Sequence, residues 1–444
     1  MDLIKDDIGR LYRRFLIASF GSALISSIYG LVDMMMVGQY HGPVGAAAMA
    51  VISPIWNILY SFGLLAGIGG SVLYGVARGT QGGDTPEGRV RANGYFTASV
   101  LFGAALSLAL WAVMWSAEEP LLRLFGASDE LMPLCRAYLK APKLTVPVYV
   151  FTNILSAFLR NDGNPSLATR AVIAGGVFNV FGDWFFVFAL DMGIEGAGIA
   201  TAMGAAASVL VMGTHFLTRR STLRFVRPHR LPTLCGRIAV NGFSSFVVDV
   251  AMGVLTMLFN RQIMRCLDSD ALAVYGVIVS VSTFVQCCSY GVGQAAQPLL
   301  SQNYGARQTA RIRTLLRYNI LTAAVIGALW TVLVMAFPNA CIRAFMSPTA
   351  AVLAIAPPIL RVYALSFLLL PFNVYATYYF QAVTRAGTSL ALSTVRGVVL
   401  SGALILALPR LFGGDAIWWA MPLTEAAVAV AGAWLIRRQL RGME

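Results

Sequence analysis

The chain has 444 residues, of which 58% are apolar and only 12% are charged, and its mean hydropathy is +0.71. Soluble globular domains carry roughly 45–50% apolar and about 25% charged residues, so this composition excludes a water-soluble protein. The net charge of +13 would suit a nucleic-acid partner, but such proteins carry their basic clusters on a polar chain. We therefore expect no nucleic acid.

A helical membrane protein accounts for this composition, because each span needs about 20 apolar residues to cross about 30 Å of hydrocarbon. No stretch shows the alternating pattern of a membrane barrel. The N-terminal segment lacks a small-residue cleavage pattern, so it leads into an uncleaved first span. Twelve apolar stretches predict twelve spans, numbered in chain order, near residues 14–37, 46–77, 92–116, 133–159, 167–190, 194–218, 238–262, 271–301, 315–338, 352–381, 387–409 and 414–436.

The distribution of basic residues predicts the orientation of these spans. With twelve spans, both termini lie on one side of the membrane, and most of the 33 Lys and Arg residues fall on that side. An excess of basic residues marks the cytoplasmic face, so both termini are predicted to be cytoplasmic. The densest cluster, in segment 219–237 between spans 6 and 7, is interpreted as a topology anchor beside anionic lipid.

This basic segment also divides the chain near its midpoint, which suggests an internal duplication. Two six-span halves in one orientation should be related by a pseudo-twofold axis along the membrane normal. We therefore predict an N-terminal six-helix lobe (1–218), a cytoplasmic linker (219–237) and a C-terminal six-helix lobe (238–444). At one fixed offset the first half matches the second at Gly67, Gly69, Arg89 and Pro147, which fall on Gly291, Gly293, Arg313 and Pro371.

Polar residues in the first lobe form the main candidate site. Asn179 and Asp183 stand one helical turn apart on span 5, and Asp33 of span 1 and Thr201 of span 6 lie at a similar depth. An acid inside the membrane is costly and therefore a functional candidate. Such oxygens suit a hard cation such as Na⁺, or a carboxylate pair that shares a proton. The alternative is hydrogen bonding that holds the helices together.

The second lobe carries Asp249 and Glu425 near mid-depth, together with the bases Arg361 and Arg396. The two acids would either attract a cationic substrate or pair with one of the bases. Aromatic and amide side chains on spans 8 and 10 could bind flat cations, although tyrosines at span ends often form only an interfacial belt. The candidates for this tentative substrate site are Gln286, Gln294, Asn373, Tyr375, Asp249 and Glu425.

Several motifs of nucleotide-binding and hydrolytic enzymes are absent from the sequence. The only lysines are Lys5, Lys140 and Lys143, and none completes a phosphate-binding loop. The three histidines form no metal pair, and there is no Gly-x-Ser-x-Gly elbow. We expect no enzyme activity and no cofactor, so an ion gradient would have to drive any transport.

Several of these segments resemble the MATE (multidrug and toxic compound extrusion) family of the MOP superfamily, and the resemblance covers nearly the whole chain. Each segment alone is weak, but their order within twelve spans makes the resemblance specific. The segments are Leu31-Val32-Asp33, Asn179-x-x-x-Asp183, Gly196-Ala-Gly-Ile-Ala-Thr201, Gly242-Phe-Ser-Ser-Phe246 before Asp249, Gly291-Val-Gly-Gln-Ala-Ala-Gln-Pro298 and Asn303-Tyr-Gly-Ala306.

The resemblance implies a V-shaped, two-lobe antiporter of the bacterial cytoplasmic membrane that exports drugs or metabolites in exchange for Na⁺ or H⁺. Its implied partners are a small organic cation or metabolite and membrane lipids, and we expect a monomer. Asp249 stands where many members have Glu, and span 10 lacks the carboxylate of some branches, so no second Na⁺ site is expected. The implied first-lobe cation site comprises Asp33, Asn179, Asp183, Thr201 and the main-chain oxygen of Ala197.

Two other functions remain open at the level of sequence. A lipid-linked oligosaccharide flippase of the same superfamily would need a cationic cavity for its pyrophosphate head group, whereas the cavity candidates here are mostly acidic. A membrane scaffold or receptor that transports nothing is the other alternative, and the lack of a soluble sensory domain argues against it.

Overall fold

The computed structural model describes residues 2–218, 221–346 and 348–442, and every regular element within them is helical. Eleven helices of this part are long and apolar enough to cross a membrane, and one bent helix pair makes a twelfth span. The predicted all-α architecture of twelve spans is thereby confirmed. In order, the spans are Ile8–Gly42, Ala47–Gly79, Pro86–Ser116, Met132–Leu144 with Val146–Asn161, Pro165–Ala189, Gly193–Leu217, Leu231–Cys266, Ser269–Gly305, Thr309–Ala336, Ala350–Ala382, Ala386–Phe412 and Gly414–Arg441.

Glycine and proline set the breaks in these helices. Gly42 separates spans 1 and 2 with φ +65° and ψ −152°, a conformation that side-chain-bearing residues avoid. Span 4 bends by 56° between Leu144 and Val146. Pro147 follows the bend, and because proline has no N–H it cannot bond back to the preceding turn.

Spans 5 and 11 each contain a π-helical segment, at Asp183–Ala189 and Val395–Val399 respectively. Single π turns within α-helices are uncommon and occur often at functional sites, because the extra residue re-aims the neighbouring side chains. Asp183 begins the first segment, and Arg396 lies within the second. The two π segments therefore carry groups of opposite charge.

The chain separates into two compact units, Met1–Phe246 and Val247–Glu444. In the first unit, span 7 begins against span 2, and a Cβ atom at Gly242 would collide with the carbonyl oxygen of Leu65. The reverse collision, of a Cβ atom at Gly69 with the carbonyl of Ile238, makes this a glycine-on-glycine helix crossing. The three-part division into lobes 1–218 and 238–444 with a linker stays a prediction.

Each unit has its own buried core. In the first unit, Tyr74, Phe96 and Phe158 pack edge to face between spans 2, 3 and 4. In the second unit, span 10 packs against spans 8, 9 and 12 and buries Phe367 and Tyr379 completely or nearly so. Span 10 is thus the central helix of the second unit.

The segment after span 6 docks onto the first unit at Asp162, directly beyond the end of span 4. The Asp162 carboxylate accepts hydrogen bonds from the main-chain nitrogen (3.0 Å) and the hydroxyl of Thr222, and its Oδ2 lies 2.7 Å from Nε2 of His215. Asn93 on span 3 bonds to the main chain of both Thr222 and Arg224. Residues 221–226 therefore belong structurally to the first unit. Arg219 and Arg220 of the predicted linker lie outside the described residues.

Candidate functional site

Three spans of the first unit bring polar side chains to one buried position. Asp33 comes from span 1, Asn179 and Asp183 from span 5, and Thr201 from span 6. Asp183 is fully buried and Asp33 is 5% exposed, although both belong to spans that cross the membrane. The π segment that begins at Asp183 departs from α-helical geometry where this acid enters the cluster.

Hydrogen bonds link these residues across the three helices. Thr201 Oγ1 lies 3.3 Å from Asp33 Oδ2 and 2.9 Å from the main-chain oxygen of Ala197. Nδ2 of Asn179 donates to the same Thr201 hydroxyl at 3.3 Å. The structure therefore groups Asp33, Thr201, Asn179 and Ala197, while Asp183 lies close enough to Asp33 for their charges to interact.

A further side chain, that of Tyr138 of span 4, belongs to this cluster and was missed in the sequence analysis. Its hydroxyl donates to Asp33 Oδ2 at 2.8 Å and lies 3.2 Å from Thr201 Oγ1. The phenol ring is fully buried, edge to face with Trp56. A Cβ atom at Gly198 would collide with the carbonyl oxygen of Tyr138. Gly198, which lies within the Gly196–Thr201 motif, thus allows span 6 to approach span 4 so closely.

Four oxygen atoms of the cluster make no hydrogen bond among the described residues. They are Oδ1 of Asp33, Oδ1 of Asn179 and both carboxylate oxygens of Asp183. Buried polar atoms are nearly always paired, and an unpaired buried carboxylate is especially costly. The atoms without partners are all acceptors in their ionised or amide form, so the group that completes the site would be a cation or a hydrogen-bond donor.

In the second unit, the structure pairs Glu425 with Arg396 and not with Arg361. Nε of Arg396 lies 2.8 Å and 3.1 Å from the two carboxylate oxygens, and Nη2 lies 2.8 Å from Oε1. Asn373 adds a hydrogen bond of 2.6 Å to Oε2. Arg361 is exposed and donates instead to the main-chain oxygen of Met335. Because Glu425 is neutralised by an adjacent base, it is unavailable as a free negative charge for a cationic substrate.

The other tentative substrate residues do not join this ion pair. Asp249 accepts a hydrogen bond of 2.5 Å from the hydroxyl of Tyr290. Gln286 lines a cavity together with Arg396, and Gln294 and Tyr375 are buried on spans 8 and 10. The six residues are thus distributed over separate contacts.

A comparison with protein families decides the classification. The MatE family model matches residues 18–185 and 244–404, which together form most of the chain. The chain belongs to the MatE family. This confirms the resemblance inferred from the sequence motifs, and with the twelve spans it identifies the chain as an integral membrane protein.

Curated relatives and solved structures agree with membership of the MatE family. The multidrug export protein MepA of Staphylococcus saprophyticus is 25% identical over 97% of this chain and 94% of its own length. MepA of Staphylococcus aureus is 22% identical, again over 97% of this chain and 94% of its own length. An outward-facing structure of a multidrug resistance MATE family transporter of the MOP superfamily superimposes with a TM-score of 0.89 at 21% identity, covering 99% of this chain and 98% of that chain. A MOP superfamily transporter from Pyrococcus furiosus gives a TM-score of 0.88 at 20% identity, covering 99% and 98%. These structures confirm the fold.

Proposed function

We propose that this protein is an antiporter that exports organic cations, drugs or metabolites across the bacterial cytoplasmic membrane in exchange for Na⁺ or H⁺. The observation that carries the proposal is the group of four buried oxygen atoms without partners on Asp33, Asn179 and Asp183. The names of the MepA relatives, which are multidrug export proteins, support export as the direction of transport.

The cluster has the chemistry that a coupling cation requires. Two carboxylates and an amide oxygen in one buried position suit Na⁺, and the same two carboxylates can share a proton. Tyr138 and Thr201 engage Oδ2 of Asp33 and leave Oδ1 open, so they orient that carboxylate towards an incoming ion. The two bases considered in the sequence analysis, Arg396 and Arg361, both belong to the second unit, whereas this cluster belongs to the first.

Coupling follows if the cation and the substrate favour different conformations of the protein. In this scheme a cation enters the cluster from outside, draws spans 1, 5 and 6 together around it and weakens the binding of the exported substrate. Cytoplasmic substrate then resets the protein once the cation has left. The cytoplasmic location of both termini and the monomeric state belong to the same proposal.

The test is efflux of tetraphenylphosphonium from proteoliposomes that contain the purified protein, with a Na⁺ gradient and a pH gradient imposed separately. We expect one of the two gradients to drive efflux in the wild type. Asp183→Asn should raise the half-saturating concentration of the coupling ion, because a lost charge-assisted contact of about 1.5–3 kcal/mol weakens cation binding roughly 10- to 150-fold. The half-saturating concentration of the coupling ion, measured over a range of gradients, reports this loss directly.

The matched control is Asp129→Asn in the same unit, because Asp129 is exposed and bonds only to Arg123 among the described residues. This variant should retain wild-type efflux. Gradient-driven efflux at the wild-type rate by Asp183→Asn, at equal protein density in the vesicles, would refute the assigned cluster. Failure of both gradients to drive the wild type would refute cation coupling itself.

A further inference from the structure

The second unit contains a cavity that the proposed antiport cycle does not use. It has a volume of about 60 Å³ and lies among spans 7, 8, 10, 11 and 12. By volume it holds about four to six water-sized groups. None of its lining residues within the described chain is an acid, and Arg396 is the only charged residue among them. Its counter-charge, Glu425, pairs with it from outside the wall of the cavity.

Two side chains that line this space carry hydrogen-bond donors. Glu425 engages Nε and Nη2 of Arg396, and no described residue accepts a hydrogen bond from Nη1. Gln286 is 4% exposed, and its Nε2 makes no hydrogen bond among the described residues. A buried amide donor without an acceptor is unusual and indicates a group that is supplied by a ligand or water. The hydroxyl of the neighbouring Tyr290 donates its proton to Asp249.

The rest of the wall is largely apolar. Met252, Leu255 and Phe259 of span 7 contribute one side, and Leu370 and Met421 contribute from spans 10 and 12. A pocket that combines an apolar wall with a few convergent donors binds a ligand that has a short apolar part and an acceptor group. The remaining Nη1 donor of Arg396 and the amide donor of Gln286 together match the two oxygens of a carboxylate.

We propose that this cavity binds a small monocarboxylate, whose oxygens accept hydrogen bonds from Nη1 of Arg396 and Nε2 of Gln286. Glu425, to which Asn373 donates a hydrogen bond, holds the guanidinium in place from its other edge. The ligand's short apolar chain lies against Met252 and Leu255. This site is separate from the oxygen cluster of the first unit and has the opposite charge preference.

The backbone around Arg396 supports a binding role. Arg396 lies in the π segment Val395–Val399 of span 11, and Asp183 begins the π segment of span 5. Spans 5 and 11 are each the fifth span of their six-span series. The same uncommon backbone element thus presents an acid in one unit and a base in the other, as expected if each unit recognises a ligand of a different charge.

The experiment measures binding to the purified full-length protein in detergent micelles by ligand-observed NMR. The probes are propionate, propionamide and propylammonium, which have similar size but carry a carboxylate, a neutral amide and an ammonium group. We expect saturable binding of propionate, binding of propionamide at least about tenfold weaker, and no binding of propylammonium. Equal binding of propionate and propionamide, or binding of propylammonium, would overturn the proposal.

Variants locate the site. Gln286→Leu should weaken propionate binding about tenfold, because the carboxylate loses one donor. Arg396→Lys keeps a positive charge beside Glu425 but removes the second arm of the guanidinium, so it should weaken binding at least as much. Gln262→Leu is the matched control, since Gln262 is buried on span 7 and donates to Cys266 outside the cavity.

Thermal unfolding of each variant separates loss of binding from loss of folding. Gln286→Leu is the decisive variant because it leaves the Arg396–Glu425 pair intact. If it folds and binds propionate as tightly as the wild type and Gln262→Leu do, the assignment is wrong. Because the readout is binding and not transport, this result is independent of the test of antiport.

Discussion

Replacing Glu425 by Gln should be among the most destabilising single changes in the second unit. Glu425 is fully buried and receives three contacts of 2.8–3.1 Å from Arg396, and Asn373 donates a fourth at 2.6 Å. The neutral amide cannot compensate the guanidinium, whose side chain is only 12% exposed. The variant therefore leaves a buried positive charge without a counter-charge.

The magnitude follows from the burial of the pair. Removing one partner of a buried ion pair costs about 3–5 kcal/mol, mostly because the other charge stays buried. Removing both partners together costs much less, so the double variant R396M/E425L should lie within about 2 kcal/mol of the wild type. The coupling energy between the two positions is then on the order of several kcal/mol.

Equilibrium unfolding by SDS in mixed micelles, followed by tryptophan fluorescence, measures these differences. The control is the exposed pair of Glu119 with Arg123, in which Arg123 and Arg136 hold the pKa of Glu119 below its usual value. Glu119→Gln should change stability far less than Glu425→Gln, because solvent screens exposed charges. The reasoning fails if Glu425→Gln is as stable as the wild type, or if the double variant is no more stable than the single one.

Two further predictions concern the first unit. Tyr138→Phe removes the donor to Asp33 and should raise the half-saturating concentration of the coupling ion about tenfold or more, with the protein level unchanged; an unaltered value in the vesicle efflux assay would exclude a role for this hydroxyl. Asp162→Asn weakens the docking of Thr222 and should speed tryptic cleavage after the exposed Arg224 roughly tenfold, as read by mass spectrometry. A cleavage rate equal to that of the wild type would show that the segment after span 6 is held by other contacts.

The twelve spans could be predicted from the sequence because hydrocarbon thickness sets a length that apolar runs must meet. The prediction placed each span correctly but could not reveal the bend in span 4 or the π segments of spans 5 and 11. A π segment depends on hydrogen-bond register, and no single residue type specifies it. The apolar pattern is equally compatible with a regular α-helix.

The residues of the polar cluster were partly predictable from the sequence. The spacing of Asn179 and Asp183 and the depth of Asp33 and Thr201 follow from helix periodicity. Tyr138 was missed because its depth alone does not bring it to Asp33; the close approach allowed by Gly198 does. The partner of Glu425 was equally undetermined, since both Arg361 and Arg396 are in suitable spans and the choice depends on helix rotation.

The contact of Gly242 with Leu65 determines when, during synthesis of the chain, the packing of the first unit can be completed. Spans 1–6 leave the ribosome before Gly242, so the groove beside Gly69 stays uncovered until the seventh span inserts. The first unit is therefore complete only when residue 246 has been made. A gene divided within segment 219–237 would therefore yield an amino-terminal fragment that lacks the residues covering Gly69, namely Ile238 and Gly242.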